Sequence, residues 1–316
     1  VGKISEVMHI DAETLFLYLP RPLHFQPVEP IQSLKVHPLA RKYANPKYIY
    51  ASFCETPPIE AYRMNLINSQ TQDIPIVVSI LGIECMVQMD HDALFFIEIN
   101  QCLCVQSEKE FSNIRKPPMR FDKQGFGYLY HRGCVYTIGG LYSSSWGIND
   151  FMYSGCERFI LSENRWEDIE PLPRGMSGMS LIALESTQSI YGFGGRKVNS
   201  SRDECYKLRL DSIILRLSLS TMTWSILSLE LPSLRQANWI PCFKVDESTI
   251  YLLLSDKTKG DAVYSFCPQT HSINLVNKVE LDSSYYYSDP ACYYSSGNLF
   301  LSSSQGITKQ ELELEP

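Results

Sequence analysis

An all-β fold is what this sequence predicts, and three observations predict it. Windows with apolar residues at i, i+3, i+4 and i+7 are nearly absent. Short runs rich in Val, Ile, Tyr, Phe and Leu recur instead, broken by Gly, Pro, Ser, Asn and Asp. Aromatic residues make up 12% of the chain, which suits pleated surfaces better than a helical bundle.

In chain order the clearest strands are TLFLYL (14–19), KYIYASF (47–53), ALFFIEI (93–99), CVYTIGG (134–140), SIYGFGG (189–195), TIYLLLS (249–255) and NLFLSSS (298–304). Each combines β-branched or aromatic residues over a length of ordinary strand size. Two stretches can be laid over each other, 117–140 and 171–195. Both run Pro, Arg, apolar strand, turn, apolar strand, Gly-Gly. The Arg positions are Arg120 and Arg174, and the glycine pairs are Gly139–Gly140 and Gly194–Gly195. A third copy at 231–255 keeps Arg235 and loses the glycine pair.

Upstream of each Arg, an alternating strand leads through a polar turn to one large residue: Phe111, Trp166 or Trp224. The distance from Phe111 to Gly139 equals that from Trp166 to Gly194, 28 residues. Projecting this offset along the chain finds further anchors at Phe25, Ile74 and Ile273, making six.

At these residues the sequence resembles the kelch repeat: four strands, a Gly-Gly after the second, an aromatic on the fourth. The resemblance spans about 13–304 and is strongest at 111–240. It implies a six-bladed kelch-type β-propeller of four-stranded blades, with the ring closed by N- and C-terminal strands. The expected organisation is an N-terminal extension (1–12), the propeller (13–305) and a C-terminal strand or tail (306–316). LFLYLP and LHFQPV near the N-terminus are expected to complete the blade begun near 290–304. Gly139, Gly140, Gly194 and Gly195 are expected to serve crowded or positive-φ backbone. Phe111, Trp166 and Trp224 are the other structural repeat positions, with the two Trp expected to fill wedges between blades.

Composition excludes several classes of function. No apolar stretch reaches the length of a membrane-spanning helix. The first residues, Val1-Gly2-Lys3-Ile4-Ser5, carry no secretory apolar core and no initiating Met. They read as the start of a processed chain or of an excerpt from a longer one. The net charge of −7 argues against nucleic acid as a partner. The ten cysteines sit mostly inside apolar runs, which points to free thiols in a reducing, cytoplasmic compartment, with cytoskeletal association one option.

Catalytic motifs are missing. The six His residues show no metal-ligand spacing, so no metal site and no cofactor are expected. Met89-Asp90-His91-Asp92 reads as a polar turn, and Cys102 with Cys104 as one buried strand face. G-x-S-x-G, P-loop and G-x-G-x-x-G patterns do not occur. Kelch-type enzymes imply copper with Tyr and His, or iron on E-x₃-D-x₃-H, and neither pattern is present. A kelch-fold enzyme acting on a small molecule in the central channel stands as the alternative, resting on fold analogy.

A protein-binding module is the expected function. In a four-stranded blade the second-to-third and fourth-to-first connections emerge on one face. The windows assigned to that face (115–124, 141–153, 170–178, 195–209, 230–238 and 255–261) carry thirteen basic and eight acidic residues. That surplus, on an acidic chain, points to an acidic segment of a protein partner. Arg120, Arg174 and Arg235 sit at a repeat position, so inter-blade support and partner contact are both open to them. Trp146, Arg196, Lys197, Arg202 and Trp239 are the further partner-binding candidates. The resemblance implies scaffold or ubiquitin-ligase substrate-adaptor roles. No BTB or F-box domain is read in these 316 residues, and an excerpt would leave one out. No oligomeric state follows from the sequence.

Overall fold

The computed structural model of the protein describes residues 48–53, 60–65, 71–74, 83–88, 94–98, 102–106, 112–142 except 122, 151–198, 208–210, 213–227, 229, 231, 240–256, 260–279, 292–295, 297–303, 306–312 and 314. Every regular element among them is a β-strand. The first sheet contains β1 (Tyr48–Phe53), β2 (Glu60–Asn65) and β3 (Thr71–Ile74). The second contains β4 (Ile83–Gln88), β5 (Leu94–Glu98), β6 (Cys102–Gln106) and β7 (Ser112–Lys116).

The third sheet begins with β8 (Gly127–His131) and β9 (Cys134–Ile138). A two-stranded ribbon follows, β10 (Leu141–Tyr142) with β11 (Phe151–Met152), before β12 (Cys156–Ile160) and β13 (Arg165–Ile169) complete that sheet. The fourth contains β14 (Ser177–Leu184), β15 (Ser189–Val198), β17 (Ile214–Ser218) and β18 (Thr223–Leu227), with β16 (Leu208–Leu210) on the far end of β15. The fifth contains β19 (Cys242–Lys244), β20 (Ile250–Asp256), β21 (Gly260–Cys267) and β22 (Ser272–Lys278). The sixth contains β23 (Cys292–Ser295), β24 (Asn298–Ser303) and β25 (Gly306–Glu311). Within each sheet, successive strands pair antiparallel as a meander.

The alternation of side chains along these strands explains how the sheets assemble. Successive residues of a strand point to opposite faces. On β9, Val135 joins one apolar cluster while Tyr136 and Ile138 join the next. On β15, Ile190 faces one way and Tyr191 and Phe193 the other. On β20, Ile250, Leu252 and Leu254 oppose Leu253 in the same manner. Among the described residues four apolar wedges result, between sheets two and three, three and four, four and five, and five and six. A sheet of this size cannot bury both faces alone, and stacking against two neighbours does so.

The first strands of consecutive sheets lie beside one another: β4 by β8, β8 by β14, β14 by β19 and β19 by β23. This fan of four-stranded meanders around their first strands fits a β-propeller. The repeat is also visible in the backbone. Asn164, Met222 and His271 each have a left-handed φ, near 51°, 54° and 52°. Each stands two residues before an anchor, Trp166, Trp224 or Ile273, in the turn to the fourth strand. Gly139, Gly140, Gly194 and Gly195 also have positive φ, at 63°, 125°, 68° and 95°. A Cβ on Gly139 would strike the carbonyl of Met176 in the next sheet.

Trp166 is buried against Phe159 of its own sheet and Phe95 of the second, with ring centroids 5.3 and 6.4 Å away. Its indole N–H donates to the Pro117 carbonyl at 2.9 Å. Trp224 repeats the device one sheet later, donating to the Glu170 carbonyl at 2.9 Å. Ile74 ends β3 and Ile273 lies on β22. Phe25, Phe111, and the N-terminal LFLYLP and LHFQPV lie outside the described residues.

Candidate functional site

Three chain segments meet at the boundary of sheets three and four: the connection from β7 to β8, the end of the ribbon with 153–155, and the connection from β13 to β14. Backbone hydrogen bonds fix them to one another. Gly140 N–H donates to Met176 O at 2.7 Å, Gly178 N–H to Gly125 O at 2.7 Å, and Leu172 N–H to Ser154 O at 2.8 Å. Paired connections of this kind hold loop side chains on a rigid base.

Beneath them lies an ion pair. Lys123 Nζ stands 3.5 Å from Glu157 Oε2, and both side chains are fully buried. Lys123 Nζ also donates to the carbonyls of Thr137 and Gly155, each at 3.3 Å. The ammonium lies 5.7 Å from the Phe126 ring centre and 6.0 Å from that of Tyr153. Glu157 Oε1 accepts the backbone N–H of Arg120 at 2.8 Å. At the surface, the Arg120 guanidinium donates to Asp168 at 2.8 Å.

Burial works against both charges of the inner pair. It lowers the Lys123 ammonium below its usual value, with Glu157 opposing the shift. It raises the Glu157 carboxyl, with Lys123 opposing. The remaining hydrogen bonds to Lys123 and Glu157 offset part of that desolvation.

The partner-binding candidates divide by location. Arg120 is exposed on the β7–β8 connection, and Arg174 is half-buried on the β13–β14 connection. Arg196 is half-buried on β15, where it pairs with Ser177 in register. Arg174 and Arg196 therefore flank the boundary of sheets three and four, while Arg120 sits at the equivalent place one repeat earlier, bonded to Asp168 of β13. Lys197 lies on β15 opposite Arg209. Trp146, Arg202, Arg235 and Trp239 lie outside the described residues.

One basic residue must be withdrawn from the loop-face surplus. Lys123 falls in the window 115–124, yet it is buried and bound to Glu157. Twelve basic residues then stand against the eight acidic ones in those windows. Glu157, Phe121 and Tyr153 carry this corner too, and motif reading passed over them. One signal existed for Glu157. Aligning the Trp166 and Trp224 anchors puts it where sheet four has the buried Leu215, a core position.

The opposite face carries a second polar belt. The Arg132 guanidinium, in the β8–β9 turn, bonds the Glu185 carboxylate and Gln188 of the β14–β15 turn. The Glu185 and Ser186 backbone N–H groups in turn donate to the Glu247 carboxylate beyond β19. His131 ends β8, so this inner strand carries a titratable group. It is buried, with Nε2 3.4 Å from Glu185 Oε1. Burial lowers the imidazole below its ordinary value of 6.5, as do Arg132 and Lys244, while Glu185 and Glu247 oppose.

Among the described residues, no group of three or more His, Cys, Asp or Glu side chains is placed to hold a metal ion. Cys102 and Cys104 are both buried on β6, and burial raises the Cys104 thiol. Met89-Asp90-His91-Asp92 lies outside the described residues. No described helix is long and apolar enough to cross a membrane.

The chain is similar to kelch-like proteins. It is 24% identical to kelch-like protein 40 of Xenopus laevis over 134 residues, 40% of this chain and 20% of that protein. It is 27% identical to kelch-like protein 40 of Mus musculus over 93 residues, 29% of this chain and 14% of that protein. The matched stretch is thus a fifth or less of each relative's length. No protein-family model matches the chain. This partial likeness supports the kelch-repeat resemblance, and the meander sheets with their repeated Trp hydrogen bonds agree with it.

Proposed function

We propose that the chain is a six-bladed kelch-type propeller that acts as a protein-interaction module, without enzymatic activity of its own. The observation that carries this reading is the pair Arg174 and Arg196 at one boundary of the loop face, with Arg120 one repeat earlier on a connection held to its neighbours by backbone hydrogen bonds. Arg is a frequent hot-spot residue, and a basic rim on a chain of net charge −7 favours an acidic partner segment. Lys197, Arg202, Arg235, Trp146 and Trp239 extend the same surface in this reading. Scaffold and ubiquitin-ligase substrate-adaptor roles both use such a surface.

The ring closes, in this proposal, through the N-terminal LFLYLP and LHFQPV, which supply a fourth strand to the sheet of β23, β24 and β25. The seven described free cysteines, Cys102, Cys104, Cys134, Cys156, Cys242, Cys267 and Cys292, support a reducing, cytoplasmic setting.

Affinity purification of the protein from its own cells, followed by cross-linking mass spectrometry, tests the reading. A stoichiometric protein partner cross-linked to the loop face, and lost in an Arg174→Ala/Arg196→Ala variant of unchanged melting temperature, is the expected result. A preparation free of partner protein but carrying a bound metabolite would overturn it and favour channel chemistry.

A further inference from the structure

The sheet-three corner of the loop face holds two large aromatic side chains outside the four apolar wedges. Phe121 and Tyr153 rest on each other with ring centroids 5.1 Å apart and planes tilted by 50°. Both are half-buried. The Tyr153 ring folds back over Gly155, where any side chain would collide with it. The same ring lies 6.0 Å from Lys123 Nζ, which donates to the Gly155 carbonyl. The Tyr153 backbone is held on both sides, its N–H donating to Gly140 O at 2.8 Å and its carbonyl accepting Met176 N–H at 3.3 Å. Arg120, adjacent to Phe121 in the chain, keeps 55% of its side chain in solvent while bonded to Asp168.

We propose that Phe121, Tyr153 and Arg120 form a recognition patch for a protein segment that presents an apolar side chain next to a carboxylate. This rests on the loop-face reading above and names the chemistry of its partner. Two observations select that chemistry. The connection 115–124 keeps Arg115, Lys116 and Arg120 against Asp122 after Lys123 is withdrawn, so a carboxylate meets favourable potential there. The paired rings offer apolar area beside that charge and are ordered before binding, which removes part of the entropic cost of association. Lys123 and Glu157 act as positioning residues. Glu157 holds the Arg120 backbone N–H, and Lys123 bonds the Gly155 carbonyl with its ammonium beside the Tyr153 ring.

The test pans the purified 316-residue chain against a random peptide library with Glu fixed at the centre, beside a matched library with Gln there. The expected result is enrichment from the Glu library of peptides with Pro, an aliphatic or an aromatic residue beside the acid. Tyr153→Ala and Phe121→Ser each weaken the best peptide by about tenfold or more. Phe121→Ser leaves the Tyr153 ring beside Lys123 in place, so it serves where Tyr153→Ala unfolds. Enriched acidic peptides lacking an apolar neighbour, bound equally by Phe121→Ser but lost in Arg174→Ala/Arg196→Ala, would overturn the patch and leave the loop-face reading standing. Equal recovery from the Glu and Gln libraries would overturn both. A dimer that Phe121→Ser converts to monomer in sedimentation would assign the patch to a second copy of this chain and overturn the proposal.

Discussion

Sheets three and four are successive copies of one repeat that solve the same packing problem with different chemistry. In sheet three, Lys123 and Glu157 sit beneath the loop face as a buried ion pair. In sheet four the equivalent places hold Met176 and Leu215, both fully buried in one apolar cluster. The equivalence is geometric. Gly140 abuts Lys123 and Gln124 as Gly195 abuts Met176 and Ser177. Glu157 pairs with Thr137, two residues before Gly139, as Leu215 pairs with Gly192, two before Gly194. The backbone thus accepts either solution. What the ion pair adds is a set of directional bonds from the core to the loop, ending on the Arg120 backbone.

Removing one member of that pair has the largest expected effect. Glu157→Leu leaves Lys123 buried and uncompensated, and is expected to cost about 3–5 kcal/mol in urea unfolding. Lys123→Met/Glu157→Leu, which copies sheet four into sheet three, should recover most of that loss or exceed the parent. A double variant as unstable as the single one would mean the two sheets are not equivalent there.

The two Trp residues give a comparison of similar size. Trp166 is buried between two aromatic neighbours, so Trp166→Ala should cost about 3–5 kcal/mol. Trp224 is only half-buried, and Trp224→Ala should lower the melting temperature by clearly less. Trp166→Phe keeps a ring and removes the N–H bond to Pro117, and about 1 kcal/mol is expected there.

Turn chemistry separates the sheets on a smaller scale. Asn164 and Met222 adopt the same left-handed conformation, which costs Asn less than Met. Met222→Asn should therefore stabilise the protein by up to about 1 kcal/mol, and Asn164→Met should destabilise it comparably. Equal and negligible changes in denaturant midpoint would show that the two turns do not differ in strain.

The smallest expected effect concerns pH. His131 is held below its ordinary value of 6.5 chiefly by burial. In the window below 6.5 the unfolded chain then takes up the proton before the folded one does. Stability contributed by neutral His131 is complete above 6.5 and is lost as pH falls through the folded-state value. His131→Gln should flatten the stability-versus-pH curve there, and an unchanged slope would assign it to other groups.

Much of this fold was legible in the strand pattern. The runs at 134–140, 189–195 and 249–255 lie on second strands because β-branched and aromatic residues alternate between two wedges. The Trp anchors were legible because spacing survives sequence drift in a repeat. The loop-face corner was less so. Lys123 reads as one more loop charge until Glu157, distant in the chain, is folded over it. Tyr153 and Phe121 meet only because the ribbon brings the end of one connection against another. Side-chain company of this kind is set by tertiary closure, which local periodicity does not encode.

Amide hydrogen exchange of the protein, alone and saturated with its partner or best acidic peptide, locates the binding face. New protection is expected at 117–126, 151–155 and 170–178, with the turns at 132–133, 185–188 and 246–249 unchanged. Protection confined to those turns would place binding on the opposite face and contradict the loop-face reading.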